Sequence, residues 1–139
     1  MDEFLRPDAS FNRLYEEYKK YGSLVVAYDF DGTVHDYHGT GATYEVVRQL
    51  IRELKEIGCK VVCWTAYKDL GYVKEFLENN NIPCDGINEG GISLPWESKK
   101  PFFSALLDDR AGLMQVFCEL KMLIYTIKKE NESTTNTTI

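Results

Sequence analysis

The residues of this chain best suited to chemistry are carboxylates at the end of an apolar run, Ser23-Leu24-Val25-Val26-Ala27-Tyr28-Asp29-Phe30-Asp31-Gly32-Thr33-Val34. Asp29 and Asp31 lie two apart, so on a strand they face the same way. Two close carboxylates repel at neutral pH, which invites a divalent cation or a shared proton. An Asp-Gly turn after a strand would account for Asp31 and Gly32, but not for Asp29. Further along stand Thr65, the adjacent Lys99 and Lys100, and the acidic pair Asp108-Asp109. A hydroxyl, an ammonium and more carboxylates, each near a strand end, complete a polar set around one point.

The elements that must position this set can be read from periodicity. The apolar run before Asp29 reads as a strand buried on both faces, as in a parallel sheet. Open α/β folds bind ligands at the carboxyl ends of such strands. Upstream, Phe11, Leu14, Tyr15 and Tyr18 predict a helix over 8–21, stopped by Gly22. Downstream, Val46, Val47, Leu50, Ile51, Leu54 and Ile57 predict a helix over 44–57, capped by Thr43 and ended by Gly58. Residues 59–65 read as the second strand, so strand, helix and strand form a right-handed parallel βαβ unit. A helix over 69–80, a short strand near 85–88 and a loop from 89 to 97 come next. A short strand over 104–107 then leads into Asp108. Leu113, Val116, Phe117, Leu120, Leu123, Ile124 and Ile127 predict a last helix over 112–129. The expectation is an α/β fold in a single domain over 1–130, with residues 131–139 as a disordered tail. His35 and His38 fall in a polar loop that reads as a flap over the site rather than as a source of metal ligands.

Composition narrows the partners. A chain of 139 residues, 44% hydrophobic, suits one domain with a proper core. Its net charge of −6 provides no broad electrostatic footprint for nucleic acid. No segment has the length and apolarity of a membrane span, and the N-terminus lacks the basic and apolar regions of a signal peptide. Cys59, Cys63, Cys84 and Cys118 lack zinc-ligand spacing and read as buried, reduced thiols, which fits a cytoplasmic protein.

Asp29-Phe30-Asp31-Gly32-Thr33-Val34, followed by Thr65, Lys100 and Asp108-Asp109, resembles the motif series of the haloacid dehalogenase (HAD) superfamily over roughly residues 23–112. Response-regulator receivers use similar residue types in another order. Lys100-Pro101 and Leu106-Leu107-Asp108-Asp109-Arg110-Ala111-Gly112-Leu113 look like the short, phage-type members. The resemblance implies a three-layer α/β/α Rossmann-like fold with a mainly parallel sheet. The short spacing from Thr33 to Thr43 leaves no room for a separate cap domain. It implies a magnesium-dependent phosphomonoester phosphatase that works through an aspartyl-phosphate. Asp29 would be the nucleophile and Asp31 the acid/base. Thr65 and Lys100 would stabilise phosphoryl charge. Asp29, Asp31, Asp108 and Asp109 would form the magnesium site, Asp31 through its backbone carbonyl. Gly32, Ala66 and Arg110 are candidate substrate contacts, as is Trp96. Core packing for Trp96, and a helix-terminal or ion-pair role for Arg110, are the alternatives. Nucleotides, sugar phosphates and nucleic-acid ends are all open as substrates; the acidic net charge favours a small phosphorylated molecule over a nucleic-acid end, and no membrane partner is expected. An open site leaves room for a homo-oligomer. A binding module that keeps the fold without catalysis is the other functional class.

Overall fold

The computed structural model of the chain describes residues 2–136. Its centre is β1 (Val25–Tyr28), flanked by β2 (Lys60–Cys63) and β3 (Ala105–Leu107) in the order β2-β1-β3. Both pairings are parallel, with Tyr28 opposite Cys63 on one side and Leu107 on the other. β1 is buried along its whole length, as its unbroken apolar run requires.

Among the described residues, four α-helices accompany the sheet: α1 (Ala9–Tyr21), α2 (Glu45–Glu56), α3 (Leu70–Asn79) and α4 (Leu113–Asn136). Their inward residues Leu14, Leu50, Leu54, Val73, Leu77, Leu120 and Leu123 join Val26, Tyr28, Val61, Cys63 and Leu107 in one apolar core. By the two-residue pleat, these strand residues share one face of the sheet. Against the other face lies the loop 88–103. Gly91 packs so close to Val25 that a Cβ there would come within 2.5 Å of its Cγ1. The Lys60 ammonium donates to the Gly91 carbonyl at 3.2 Å, and Phe103 sets its ring edgewise on Trp64. The fold is therefore mixed α/β with a small parallel sheet. The layer expected as helix on this second face is loop among the described residues, because the stretch after Ile87 carries glycines and prolines in place of a helical apolar stripe.

Several boundaries shift. The strand expected near 85–88 reduces to one bridge between Ile87 and Cys63. Asn88, at φ 54°, turns the chain away at once. The helix expected from Thr43 starts one residue later, with Tyr44 in the left-handed region as its cap residue and the Thr43 hydroxyl accepting from the Glu45 amide at 3.4 Å. Gly22 ends α1 as expected, at φ 70°, its amide donating to the Tyr18 carbonyl.

The tail is corrected as well. α4 runs on to Asn136, so residues 131–136 are helical, and residues 137–139 lie outside the described ones. Glu130 ties this end of α4 to α1, accepting from the Tyr15 hydroxyl and pairing with the Lys19 ammonium. A helix anchored there adds one hydrogen bond per further residue and needs no apolar stripe to continue. Of the thiols expected to be buried, Cys59 and Cys63 are; Cys84 is half-buried and Cys118 is exposed. No helix among the described residues is long and apolar enough to cross a membrane.

Candidate functional site

Strand register builds the site. Tyr28 and Leu107 are partners, so the next residues along each strand, Asp29 and Asp108, leave the sheet side by side. The Asp29 amide still donates to the Leu107 carbonyl at 2.8 Å. Asp29, Asp108 and Asp109 each place a carboxylate oxygen within 4.8 Å of the others. Burial drives the Asp29 carboxyl up to about 7; the charge of Asp108 and a hydrogen bond with Asp109 add to the effect. A half-buried carboxyl among others gives up its proton reluctantly, and a hard cation with oxygen ligands would relieve it.

The turn after Asp29 is closed on one atom. The Phe30 carbonyl accepts from the amides of Thr33, Val34 and His35, and the His35 carbonyl accepts from Gly32. Gly32 sits at φ 78°, and a Cβ there would lie 2.8 Å from Asp109 Oδ2. Glycine is therefore required on two counts: its backbone conformation and the approach of Asp109. Thr33, fully buried, accepts from the Asp109 amide through its hydroxyl at 3.2 Å. From α2, the Arg48 guanidinium holds the Val34 carbonyl through Nε and Nη2 at 3.1 and 2.8 Å.

Asp31 lies outside the carboxylate cluster. Its Oδ1 is 2.8 Å from His35 Nδ1, and His35 Nε2 is 3.1 Å from the Tyr72 hydroxyl. Both contacts are satisfied in either state of Asp31: ionised, it accepts from Nδ1–H while Nε2 accepts from Tyr72; protonated, it donates to Nδ1 while Nε2–H donates to the Tyr72 oxygen. The imidazole stacks on Phe30 at 4.5 Å and is edged by Tyr67, Tyr72 and Phe76. Among the described residues the carboxylates that gather are those of Asp29, Asp108 and Asp109, three of the four residues expected at the metal, the fourth being Asp31 through its backbone carbonyl. Asp31 keeps a side chain directed by histidine.

The remaining candidates are less closely gathered. Thr65 comes after β2; its amide donates to Asn88 Oδ1 at 2.8 Å, and its hydroxyl accepts from Tyr67 at 3.0 Å. Ala66 and Arg110 are exposed. The Arg110 amide donates to Asp108 Oδ1 at 2.9 Å, which orients that carboxylate. Lys99 and Lys100 are both exposed, and neither forms an ion pair among the described residues. Trp96 is not in the core: it is 65% exposed. Sequence reasoning misses three positioning residues: Arg48, Tyr72 and Asn88. The four-residue spacing of Asp31 and His35 is a usable signal for their pairing. For the other three, the contacts span sequence separations that no local pattern marks.

No protein-family model and no curated protein matches the chain. Among solved structures, it is similar to a conserved protein from Bacteroides thetaiotaomicron. The TM-score is 0.58 at 18% identity, covering 78% of this chain and 92% of the other. At that identity the likeness speaks to the fold alone, and it is consistent with a Rossmann-like α/β arrangement.

Proposed function

We propose that the chain is a magnesium-dependent phosphomonoester phosphatase of the HAD type. The observation that carries this reading is Asp29 at the end of the central strand, with Asp108 and Asp109 close enough for the three carboxylates to share one cation. All-oxygen donors suit a hard divalent ion. Asp29, Asp108 and Asp109 would hold it, with the Asp31 carbonyl as the superfamily resemblance implies. Magnesium would screen the repulsion between the carboxylates and an anionic phosphate.

Asp29 attacks phosphorus, forming an acyl-phosphate bond as the bond to the leaving oxygen breaks. Asp31, in its protonated form, gives its proton to that oxygen. It then accepts a proton from the water that attacks phosphorus, and Asp29 is freed as inorganic phosphate leaves. Having Asp31 out of the cluster and held by His35 supports this division of labour, since a side chain bound to metal could not carry the proton. Thr65 and Lys100 stabilise charge on the phosphoryl oxygens, and Gly32, Ala66 and Arg110 border the substrate. A small phosphorylated substrate fits better than a nucleic-acid end, given the acidic chain. A reducing, cytoplasmic setting belongs to the same proposal and is supported by four free cysteines.

The exposed Lys99 and Lys100, without an ion pair to the cluster, favour a second reading: a binding module of the same fold. Turnover of an aryl phosphate with and without magnesium decides between them. The phosphatase reading expects magnesium-dependent release of phosphate that EDTA abolishes. Inactivity across aryl, sugar and nucleoside phosphates would leave the binding module.

A further inference from the structure

The loop 88–103 and the residue after β2 border a groove lined by Trp64, Asn88, Trp96, Lys99, Lys100 and Phe102. The chain has two tryptophans, and both are here. Trp96 is 65% exposed, Phe102 41% and Trp64 37%. In a chain of net charge −6, Lys99 and Lys100 have no carboxylate within ion-pair distance among the described residues. The groove therefore joins open aromatic faces to two exposed ammonium groups.

Its position links it to the site. The Trp64 amide donates to the Tyr28 carbonyl at 2.8 Å, one residue before Asp29. Asn88, on the groove wall, accepts from the amide of Thr65. Two residues of its lining, Trp64 and Asn88, are thus tied to the carboxyl ends of β1 and β2, the end of the sheet at which Asp29 stands. A ligand matched to it carries a flat ring for the indoles and negative charge for the lysines. Aromatic side chains stack on any nucleobase because every base has a π-face, and cations beside them hold the phosphates.

We propose that this groove binds the base of a nucleotide and directs its phosphate to Asp29. The hydrolysis of the bound nucleotide rests on the phosphatase reading, but the binding itself can be measured apart from it. An indole also packs on the C–H face of a sugar ring, so a sugar phosphate is the competitor to exclude.

Intrinsic fluorescence of the full chain is the direct probe, because both tryptophans line the groove. Nucleoside monophosphates should quench it saturably, with glucose 6-phosphate and inorganic phosphate giving little response. Trp96→Ala removes an exposed ring and so spares the fold. It should weaken nucleotide binding, read from Trp64, about tenfold. It should also lower kcat/KM for the nucleotide far more than for glycerol 3-phosphate. An equal or larger response to glucose 6-phosphate, or no response to any nucleotide, overturns the proposal even if aryl phosphates are hydrolysed. Saturable nucleotide binding without hydrolysis sustains the groove and overturns the phosphatase reading instead.

Discussion

The two halves of the candidate site are held in opposite ways. Asp29, Asp108 and Asp109 stand at the ends of paired strands, and backbone hydrogen bonds set their places before any ligand arrives. Lys99 and Lys100 stand in a loop with no strand or helix between Asn88 and Ser104. Their own stretch is secured by two contacts of the Ser98 hydroxyl, to the Lys100 carbonyl at 2.9 Å and from the Lys100 amide at 3.2 Å. Carboxylates are thus gathered by the sheet, while the two lysines stand on a loop without regular structure. On the proposed reading, such a division suits a site completed by its ligands: a cation between the carboxylates, and a phosphate between that cation and the lysine.

The largest expected effect tests the rigid half. Asp29→Asn should lower turnover on the order of a thousandfold or more, since it removes the nucleophile itself. Acid-quenched reactions with a labelled phosphate ester should show phosphoenzyme in the wild type and none in the variant. Full activity in Asp29→Asn would remove the nucleophile assignment.

Next is Asp31, on the same turn but outside the cluster. Asp31→Asn should cost on the order of a hundredfold. The loss should be greater for alkyl than for aryl phosphates, whose leaving oxygen needs less protonation. A phosphoenzyme should accumulate only with the activated aryl ester, and quenched-flow measurements would detect it. An equal loss with both esters would mean that Asp31 supports the turn rather than moves a proton.

The loop half is tested by the lysines. Lys100 precedes Pro101, which biases it toward an extended backbone, and neighbours in such a stretch point to opposite sides. Lys100→Ala should therefore lower turnover roughly a hundredfold and Lys99→Ala only a few-fold. The ratio of the two kcat values is the measurement. Small, equal effects would mean that the loop never delivers a cation, which would make the contrast between the halves permanent.

The same contrast explains how far the sequence is legible. β1, β2 and β3, and the placement of Asp29 beside Asp108, arise from apolar runs that stop at carboxylates, a local pattern. The His35–Tyr72 contact joins two elements 37 residues apart, and the Arg48 hold on Val34 spans 14. Neither has a periodic signature. The stretch 89–97 is legible as loop, but its place against the second face, where a helical layer is expected, is not, because Gly91 meets Val25 through the absence of a side chain. The end of α4 escapes sequence reasoning because its polar residues lack an apolar stripe, while its anchor, Glu130, depends on a partner more than a hundred residues away.

The smallest effect is on stability, and it tests whether the carboxylates are held together against their own repulsion. Asp29 titrates at about 7 in the folded chain, against an ordinary value of 3.8. Below the ordinary value, both folded and unfolded chains hold this proton, and nothing differs. Between the two values, the unfolded chain has released it and the folded chain has not. The folded state then binds more protons, so stability falls as pH rises through this window and levels off above it. Asp29→Asn removes this titration. Without divalent ions, the melting temperature of Asp29→Asn relative to wild type should therefore rise between about pH 4 and pH 7 and stay level beyond. The group is only half-buried, so solvent screening limits the gap to on the order of a few degrees. Millimolar magnesium should raise the wild-type melting temperature and narrow the gap at about pH 8. Calorimetric scans of both proteins across this range, with EDTA or magnesium, make the comparison. A gap that ignores both pH and magnesium would mean that the three carboxylates stand too far apart, or too well solvated, to act as one site.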